Sequence, residues 1–291
     1  MNFLDEHDEI AFRLQHLNDD TYLNFIKENV RPNGRTLSEY RPFHVETYAN
    51  NNNGIVGSGV ASIGNTKAIC VITTMIGTVS NNNKNIGDVD IDVQLGSLCS
   101  QIFDNTKAKP DLAYKIEQVL DDLISKGSLI DLSQLVIVEN VYAFRLCISI
   151  TIVSMDGNLL DAVIVACMHA LKTTNVPLAV DIGDKNQTDS KGLKEFGIST
   201  KQVNPLTLHT TLVPVTCGIY GPSNYCIMDL DKQEEDVVRH VATIVFDAND
   251  NVVYMSNVCI VTHLLIYLFT YLFHHLKIFV FYRLIPVGAL T

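Results

Sequence analysis

The residues with chemistry to offer lie in a few places. Arg31-Pro32-Asn33-Gly34-Arg35, followed by Arg41-Pro42, gathers three of the chain's seven arginines into eleven residues. Pro followed by Asn-Gly is turn chemistry, which projects the flanking guanidiniums in fixed directions. Such forks suit paired carboxylates, or else a phosphate or a partner surface, and composition alone favours the carboxylates. Asp88, Asp90 and Asp92 spell the opening of a calcium-binding EF-hand loop. That loop needs Gly at its sixth position and Glu at its twelfth, where this chain has Val93 and Cys99, so the row reads as the solvated face of a strand. Asp229, Asp231, Glu234, Glu235 and Asp236 cluster after an apolar run, and read as a solvated turn in preference to a metal site. His169, on an apolar helix, reads as a core histidine. There is no Gly-x-Ser-x-Gly, no His-Glu-x-x-His, no Walker loop and no dinucleotide fingerprint.

The elements that must position these residues centre on 135–173. Val136, Ile137, Val138 and the run from Val141 to Ile152 predict strands, with Tyr142, Phe144 and Leu146 on one face and Val141, Ala143 and Arg145 on the other. Asp156-Gly157 supplies a tight turn with a positive φ at glycine. From Asn158 the period changes to three and four residues, through Leu159, Leu160, Val163, Ile164, Cys167, Ala170 and Leu171. Asn158 is the expected N-cap, and Asp161 sits in the first turn, where the helix dipole favours a carboxylate. A helix apolar nearly all round belongs inside a domain.

Before this centre, residues 1–30 read as an acidic amphipathic lead-in. A strand pair turns at Gly64-Asn65-Thr66, an alternating strand runs from Val89 to Leu95, and residues 110–126 form a helix stopped by Gly127. After it, residues 181–205 read as a polar surface excursion. Further strands follow at 208–219, 225–230, 237–246 and 252–255, linked as hairpins.

The formal charge of −11 argues against a chain that grips nucleic acid by itself, since phosphate neutralisation needs a basic patch. Seven scattered cysteines without a C-x-x-C pair, and an acidic N-terminus without a signal peptide, fit a reducing intracellular compartment.

Several stretches together resemble the RNase PH-like ring subunits of the RNA exosome. They are Arg31-Pro32-Asn33-Gly34-Arg35 with Glu39-Tyr40-Arg41, then Gly59 to Cys70 (GVASIGNTKAIC), then Asp156-Gly157-Asn158-Leu159-Leu160-Asp161-Ala162, and the acidic segment from Met228 to Glu235. They occur in family order across roughly residues 21–257, and Asn33 stands where Asp is usual. The resemblance implies an α+β, RNase PH-like fold, with mixed sheets packed with helices in the manner of ribosomal protein S5 domain 2. Active members resemble each other in an arginine-rich stretch before the first long helix and a Gly-Thr-Arg-like element after the Asp-Gly turn. Here no arginine falls between Arg41 and Arg145, and the turn is followed by Asn158-Leu159-Leu160-Asp161. Phosphorolysis needs a cationic cradle for its phosphate, so the resemblance is to the catalytically silent subunits. Among these, Leu98-Cys99-Ser100 and the arginine pattern are most similar to the ribosomal RNA-processing protein 43 type.

The implied role is a scaffold with no catalytic residue, metal or cofactor. Its partners would be other RNase PH-like subunits in a hetero-hexameric ring, S1/KH caps, hydrolytic nucleases, and RNA through the assembled channel, in the nucleus, nucleolus and cytoplasm. Arg31, Arg35 and Arg41 are the RNA or interface candidates. Pro32, Gly34, Gly64, Asp156, Gly157 and Asp161 form the structural motif. The alternatives are an active phosphate-dependent exoribonuclease with a borrowed cradle and a tail-anchored membrane protein. The expected division is an acidic lead-in (1–20), the RNase PH-like domain (21–257) and an apolar tail (258–291). That tail departs from the family pattern: residues 258–282 are almost wholly apolar, broken by His263, His274, His275 and Lys277. It reads as a membrane anchor, a divergent packed helix or, preferred on sequence, a coding artefact such as retained intron.

Overall fold

The structure, a computed structural model, describes residues 19–47, 54–78, 86–96, 99, 111–126, 129–139, 141–181, 196–220, 225–238 and 240–256. Its elements run α1 (Asp19–Lys27), β1 (Phe43–Glu46), β2 (Ile55–Ile63), β3 (Thr66–Thr78), β4 (Asp88–Leu95), α2 (Asp111–Asp121), β5 (Val136–Val138), β6 (Tyr142–Ser154), α3 (Leu159–Lys172), β7 (Asn175–Asp181), β8 (Phe196–Pro205), β9 (Val213–Tyr220), β10 (Tyr225–Met228), α4 (Lys232–Val237), β11 (His240–Phe246) and β12 (Val252–Met255). One π-helical turn, Asp122–Lys126, prolongs α2.

Two sheets do most of the positioning. In the first the order is β1-β2-β3-β6-β4, with β5 also on β6. All its pairs are antiparallel except β4 with β6. The second has the order β10-β9-β11-β12, and β7 pairs with β8 alone. The long β-branched runs explain β3 and β6. On β6, Tyr142, Phe144, Leu146, Ile148, Ile150 and Ile152 are buried while Arg145, Ser149 and Thr151 are exposed, the period-two signature of a sheet with one face on a core. Ala143, expected on the exposed face, is buried where β5 pairs alongside it. The acidic row on β4 keeps Asp88 and Asp90 exposed opposite buried Val93.

Helix α3 packs against β2 and β3 on one side and β9 on the other, so its apolar circumference has a partner all round. Eleven of its residues are buried, from Leu159 to Leu171. The approach to β2 is close because β2 presents Gly57 and Gly59 to it. A Cβ on Gly59 would lie against the Ala166 carbonyl and 2.7 Å from the Ala170 nitrogen, and backbone cannot step aside as a side-chain tip can.

The expected surface excursion at 181–205 is partly a strand. Residues 196–205 form β8, in register with β7 from Asn175↔Pro205 to Asp181↔Phe196, while residues 182–195 lie outside the described residues. Its Gly, Lys and Asn content concealed a hairpin arm, because ladder pairing with β7 outweighs weak β propensity.

Replacing Gly59 by Ala is expected to lower the unfolding free energy by about 1–3 kcal/mol, the cost of overpacking. Gly77→Ala, where an added Cβ meets nothing within 4 Å, is expected to change it by less than about 1 kcal/mol. Urea titrations of both variants check the contrast.

Candidate functional site

The arginine loop is closed by its own backbone. Arg31 N donates to Arg35 O at 2.8 Å, Gly34 N donates to Arg31 O at 2.9 Å, and Val30 bridges to Thr36. Gly34 takes φ +84° with nothing near its missing Cβ, so it is required for the turn and not for space. Pro32 is half-buried beside it. The loop sets Arg31 and Arg35 against the segment after β10, and Arg41 enters the same place from the strand side.

Arg31 is wholly buried. Its Nε donates to Thr36 O, its Nη2 to the carbonyls of Leu37, Glu39 and Met228, and its Nη1 to Glu234 Oε2 at 3.1 Å. Arg35 donates to Asp229 Oδ2 and Glu234 Oε2, each at 3.2 Å, and lies 3.5 Å from Asp231 Oδ2. Arg41 grips Asp229 as a fork, Nε to Oδ2 at 3.0 Å and Nη2 to Oδ1 at 2.9 Å, while its backbone N donates to Oδ2 at 2.7 Å. Its remaining N–H groups reach the carbonyls of Asp156, Gly157 and Leu230. Gly64, at the β2–β3 turn with φ +54°, leaves the space that the Arg41 stem fills, 2.7 Å from where its Cβ would stand.

The Asp-Gly turn completes the cluster. Gly157 has φ +73°, and a Cβ there would lie 2.5 Å from Leu230 O, so a glycine is needed for both backbone angle and contact. Thr66 Oγ1 donates to Gly157 O at 2.6 Å and accepts from Asp156 N at 2.9 Å. Asn158 stands at the start of α3, but it is left-handed (φ 50°) and its side chain does not cap the helix. Its Nδ2 is anchored to Asp229 Oδ1 at 2.8 Å, and its Oδ1, the atom that would accept from the first helix N–H groups, is left without a partner. Glu235 Oε1 receives Asn158 N at 2.8 Å. Asp161, fully inside, ties α3 to β9 by accepting from Thr216 N and Thr216 Oγ1 at 3.1 and 2.6 Å.

Asp229 and Glu234 are not on a solvated turn: they are 0% and 4% exposed. Sequence reading missed this, although the signal was present. Asp231 and Glu234 form a reciprocal capping box on α4, the D-x-x-E spacing that marks a helix start. The partners that bury these carboxylates lie some 200 residues away, beyond the reach of local pattern. Among the described residues no group of three His, Cys, Asp or Glu is placed to hold a metal. His169 is half-buried on α3, and burial lowers its pKa.

The electrostatics follow from burial and pairing. Burial alone would raise Asp229, but the hydrogen bonds and charge of Arg41 hold it below the usual carboxylate range. Glu234 is raised, by burial first and then by Asp231, against the pull of Arg31. Asp161 is pushed up to about 7 by burial, despite the bonds from Thr216 and Asn158. Chemically this is a clamp: the donors of Arg31 and Arg41 are spent on carboxylates and carbonyls of the same chain, and Arg35 is largely so.

Arg41→Met, which keeps the stem and removes the donors, is expected to cost about 3–5 kcal/mol of unfolding free energy by stranding Asp229. Arg145→Met, which breaks only the exposed 2.8 Å pair with Asp88, should cost less than about 1 kcal/mol. Denaturant titration of the two variants tests this. A second expectation concerns pH. Asp161 is neutral in both states below its unfolded value of 3.8 and titrates near 7 when folded, so its contribution is full at low pH and is lost as pH rises towards 7. Relative to Asp161→Asn, the native chain should lose up to about 4 kcal/mol over that window and stay level above it.

Residues 39–177 match the model of the 3' exoribonuclease family, domain 1 (RNase PH). The chain is 27% identical over 238 residues to the exosome complex component Rrp42 of Pyrococcus abyssi, covering 80% of each. It is 28% identical over 240 residues to the exosome complex component rrp43 of Schizosaccharomyces pombe, covering 80% of this chain and 82% of that one. Among solved structures, a chain of the Archaeoglobus fulgidus exosome with RNA bound to the active site superposes with a TM-score of 0.67 at 25% identity, over 86% of this chain and 89% of that one. Rice Rrp46 shares the fold, with a TM-score of 0.55 at 18% identity over 77% of this chain and 84% of that one. The expected α+β, RNase PH-like architecture is thus the observed one, and relatives of both the Rrp42 and rrp43 kinds align along most of it. With its two sheets closed on α3 and the arginine loop clamped to the segment after β10, the chain carries an RNase PH domain over residues 39–177, has the fold of the exosome chain it superposes on, and is similar to exosome complex components along about four-fifths of its length.

Proposed function

We propose that the chain is a non-catalytic scaffold subunit of the RNA exosome ring, supporting 3'-to-5' RNA processing and degradation by helping to enclose the RNA channel. The observation that carries the silent assignment is where its cations go. The motif arginines are consumed inside the fold, no arginine occurs from 42 to 144, and no cation follows the Asp156-Gly157 turn before Lys172. Among the described residues, the cation lining the cleft between α2 and the start of α3 is the exposed Lys115, a flexible ammonium and not a preorganised arginine fork, and a nucleophile that is not held does not react. The same residues serve assembly: Arg31, Arg35 and Arg41 fix the loop 31–41, whose exposed Asn33, Thr36 and Ser38 are offered to neighbouring subunits.

In this reading residues 21–257 are the ring-forming domain and 1–20 an acidic lead-in. RNase PH-like paralogues, S1/KH caps and hydrolytic nucleases are the partners, and the sites of action are nucleus, nucleolus and cytoplasm. An acidic chain then meets RNA beside more basic subunits. The likeness to Rrp42 and rrp43 over about four-fifths of the length and to an RNA-bound exosome supports it.

Co-expression with RNase PH-like paralogues, followed by native mass spectrometry and a phosphorolysis assay on a short RNA, provides the test. A hetero-hexamer, with no phosphate-dependent nucleoside diphosphate release from the purified chain, is expected. Release by the chain alone, or failure to enter any ring, would overturn the proposal.

A further inference from the structure

Three sulfur atoms share one face at the edge of the second sheet. Met228 of β10 stands opposite Cys217 of β9 in the ladder, and Cys226 precedes Met228 by two residues, so all three side chains leave the sheet on the same side. They pack in one apolar cluster with Val215, Ile244 and Phe246. Cys217 donates to the Cys226 sulfur, and Cys226 Sγ lies 3.9 Å from Met228 Sδ. The result is a row of two thiols and a thioether. Cys217 is wholly buried, whereas Cys226 is partly exposed on β10, the outer strand of its sheet, so the row has one open end.

Two kinds of bond could join these sulfurs. A disulfide needs Cα atoms within about 7 Å, and diagonal neighbours across an antiparallel ladder stand about 7–8 Å apart. A metal ion spans a wider gap. Three bonds of about 2.3 Å in a trigonal plane set their sulfurs about 4 Å apart, close to the Cys226–Met228 separation as it stands. Ligand softness then chooses the ion. Thiolate and thioether together select copper(I), whereas zinc takes four ligands from cysteine, histidine or carboxylate, and among the described residues no third group of that kind joins the pair.

The surroundings suit such an ion. The hydrogen bond from Cys217, and with it the charge of Arg31, favours the thiolate of Cys226 against the penalty of burial. Tyr40 packs on the same cluster with its hydroxyl out of water and unpaired. Burial, and after it the nearby carboxylates and both thiols, raises the pKa of that hydroxyl, which keeps it a donor for a thiolate sulfur, as outer groups are around metal sites.

We propose that Cys217, Cys226 and Met228 bind one copper(I) ion in a trigonal site of two thiolates and one thioether. Binding forms three Cu–S bonds and breaks two S–H bonds, whose protons pass to water, and the copper stays in the +1 state. The bound ion ties β10 to β9 beside the Met228 carbonyl that Arg31 holds. The site does not depend on ring membership.

The test uses the full-length chain under nitrogen, with copper(I) supplied as its acetonitrile complex and bathocuproine disulfonate as competitor. One ion per chain is expected to be retained, with an X-ray absorption fine structure of three sulfurs at about 2.3 Å. Cys226→Ser is expected to weaken retention by about tenfold or more. Met228→Leu, which keeps the volume and hence the fold, should weaken it severalfold and lower the sulfur count to two. Cys147→Ser, which removes a partly exposed thiol on the first sheet, should leave retention unchanged, and an equal concentration of zinc(II) should not displace the copper. No copper held against the competitor, equal losses from Cys226→Ser and Cys147→Ser, three sulfurs persisting in Met228→Leu, or displacement by zinc would each overturn the proposal.

Discussion

Asp229 is a carboxylate placed where water cannot reach it, and the rest of the structure is arranged to make that tolerable. Taking a charge out of water costs several kcal/mol, repaid only when the opposing charge is well aligned and the remaining lone pairs are satisfied. Arg41 meets both oxygens, its own backbone N–H adds a third bond, and Asn158 a fourth. The donors come from separate parts of the fold: the strand approach at Arg41, the arginine loop at Arg35 and the Asp-Gly turn before α3. A single buried oxygen pair thereby fixes where three segments meet, and the glycines at 64 and 157 are required because those segments meet without room for a Cβ.

The same arrangement changes what the arginines mean. Forked guanidiniums near a helix start would ordinarily suggest a phosphate site. Here the forks point inwards to Asp229 and Glu234, so the motif specifies geometry and leaves little charge for a ligand. That division suits a subunit whose contribution is shape. Apolar burial on α3 makes the two sheets one body, and the polar clamp chooses the relative placement of their ends, a specifying role known for buried polar groups elsewhere.

Much of this was legible in the chain. The β2–β3 turn at Gly64, the alternation of β6, the Asp156-Gly157 turn and the all-round apolar α3 follow from period and turn chemistry, because each is decided by neighbours within a few residues. The ordered set of short motifs carried the family. Local pattern failed where distant partners decide the outcome. Asp229 and Glu234 look like surface residues until Arg31 and Arg41 are brought to them. Asn158 holds the N-cap position as expected but makes no capping bond, its amide being turned to a buried carboxylate from a distant segment, and residues 196–205 look like a loop until β7 lies alongside.

The clamp also orders events in time. Arg31 closes onto Glu234 across 203 residues, and protein synthesis proceeds at about 5–20 residues per second. For some 10–40 s after Arg31 is added to the chain, its distant acceptors, Met228 O and Glu234, do not yet exist. During that interval the strands β2, β3 and β6 and helix α3 can assemble, since their contacts are closer in sequence, but the N-terminal loop stays unlocked and the inner face of the second sheet is unmade. The nascent subunit therefore passes through a state with its centre built and its rim open, and it is this interval, more than the finished fold, that a chaperone or an assembling neighbour would encounter.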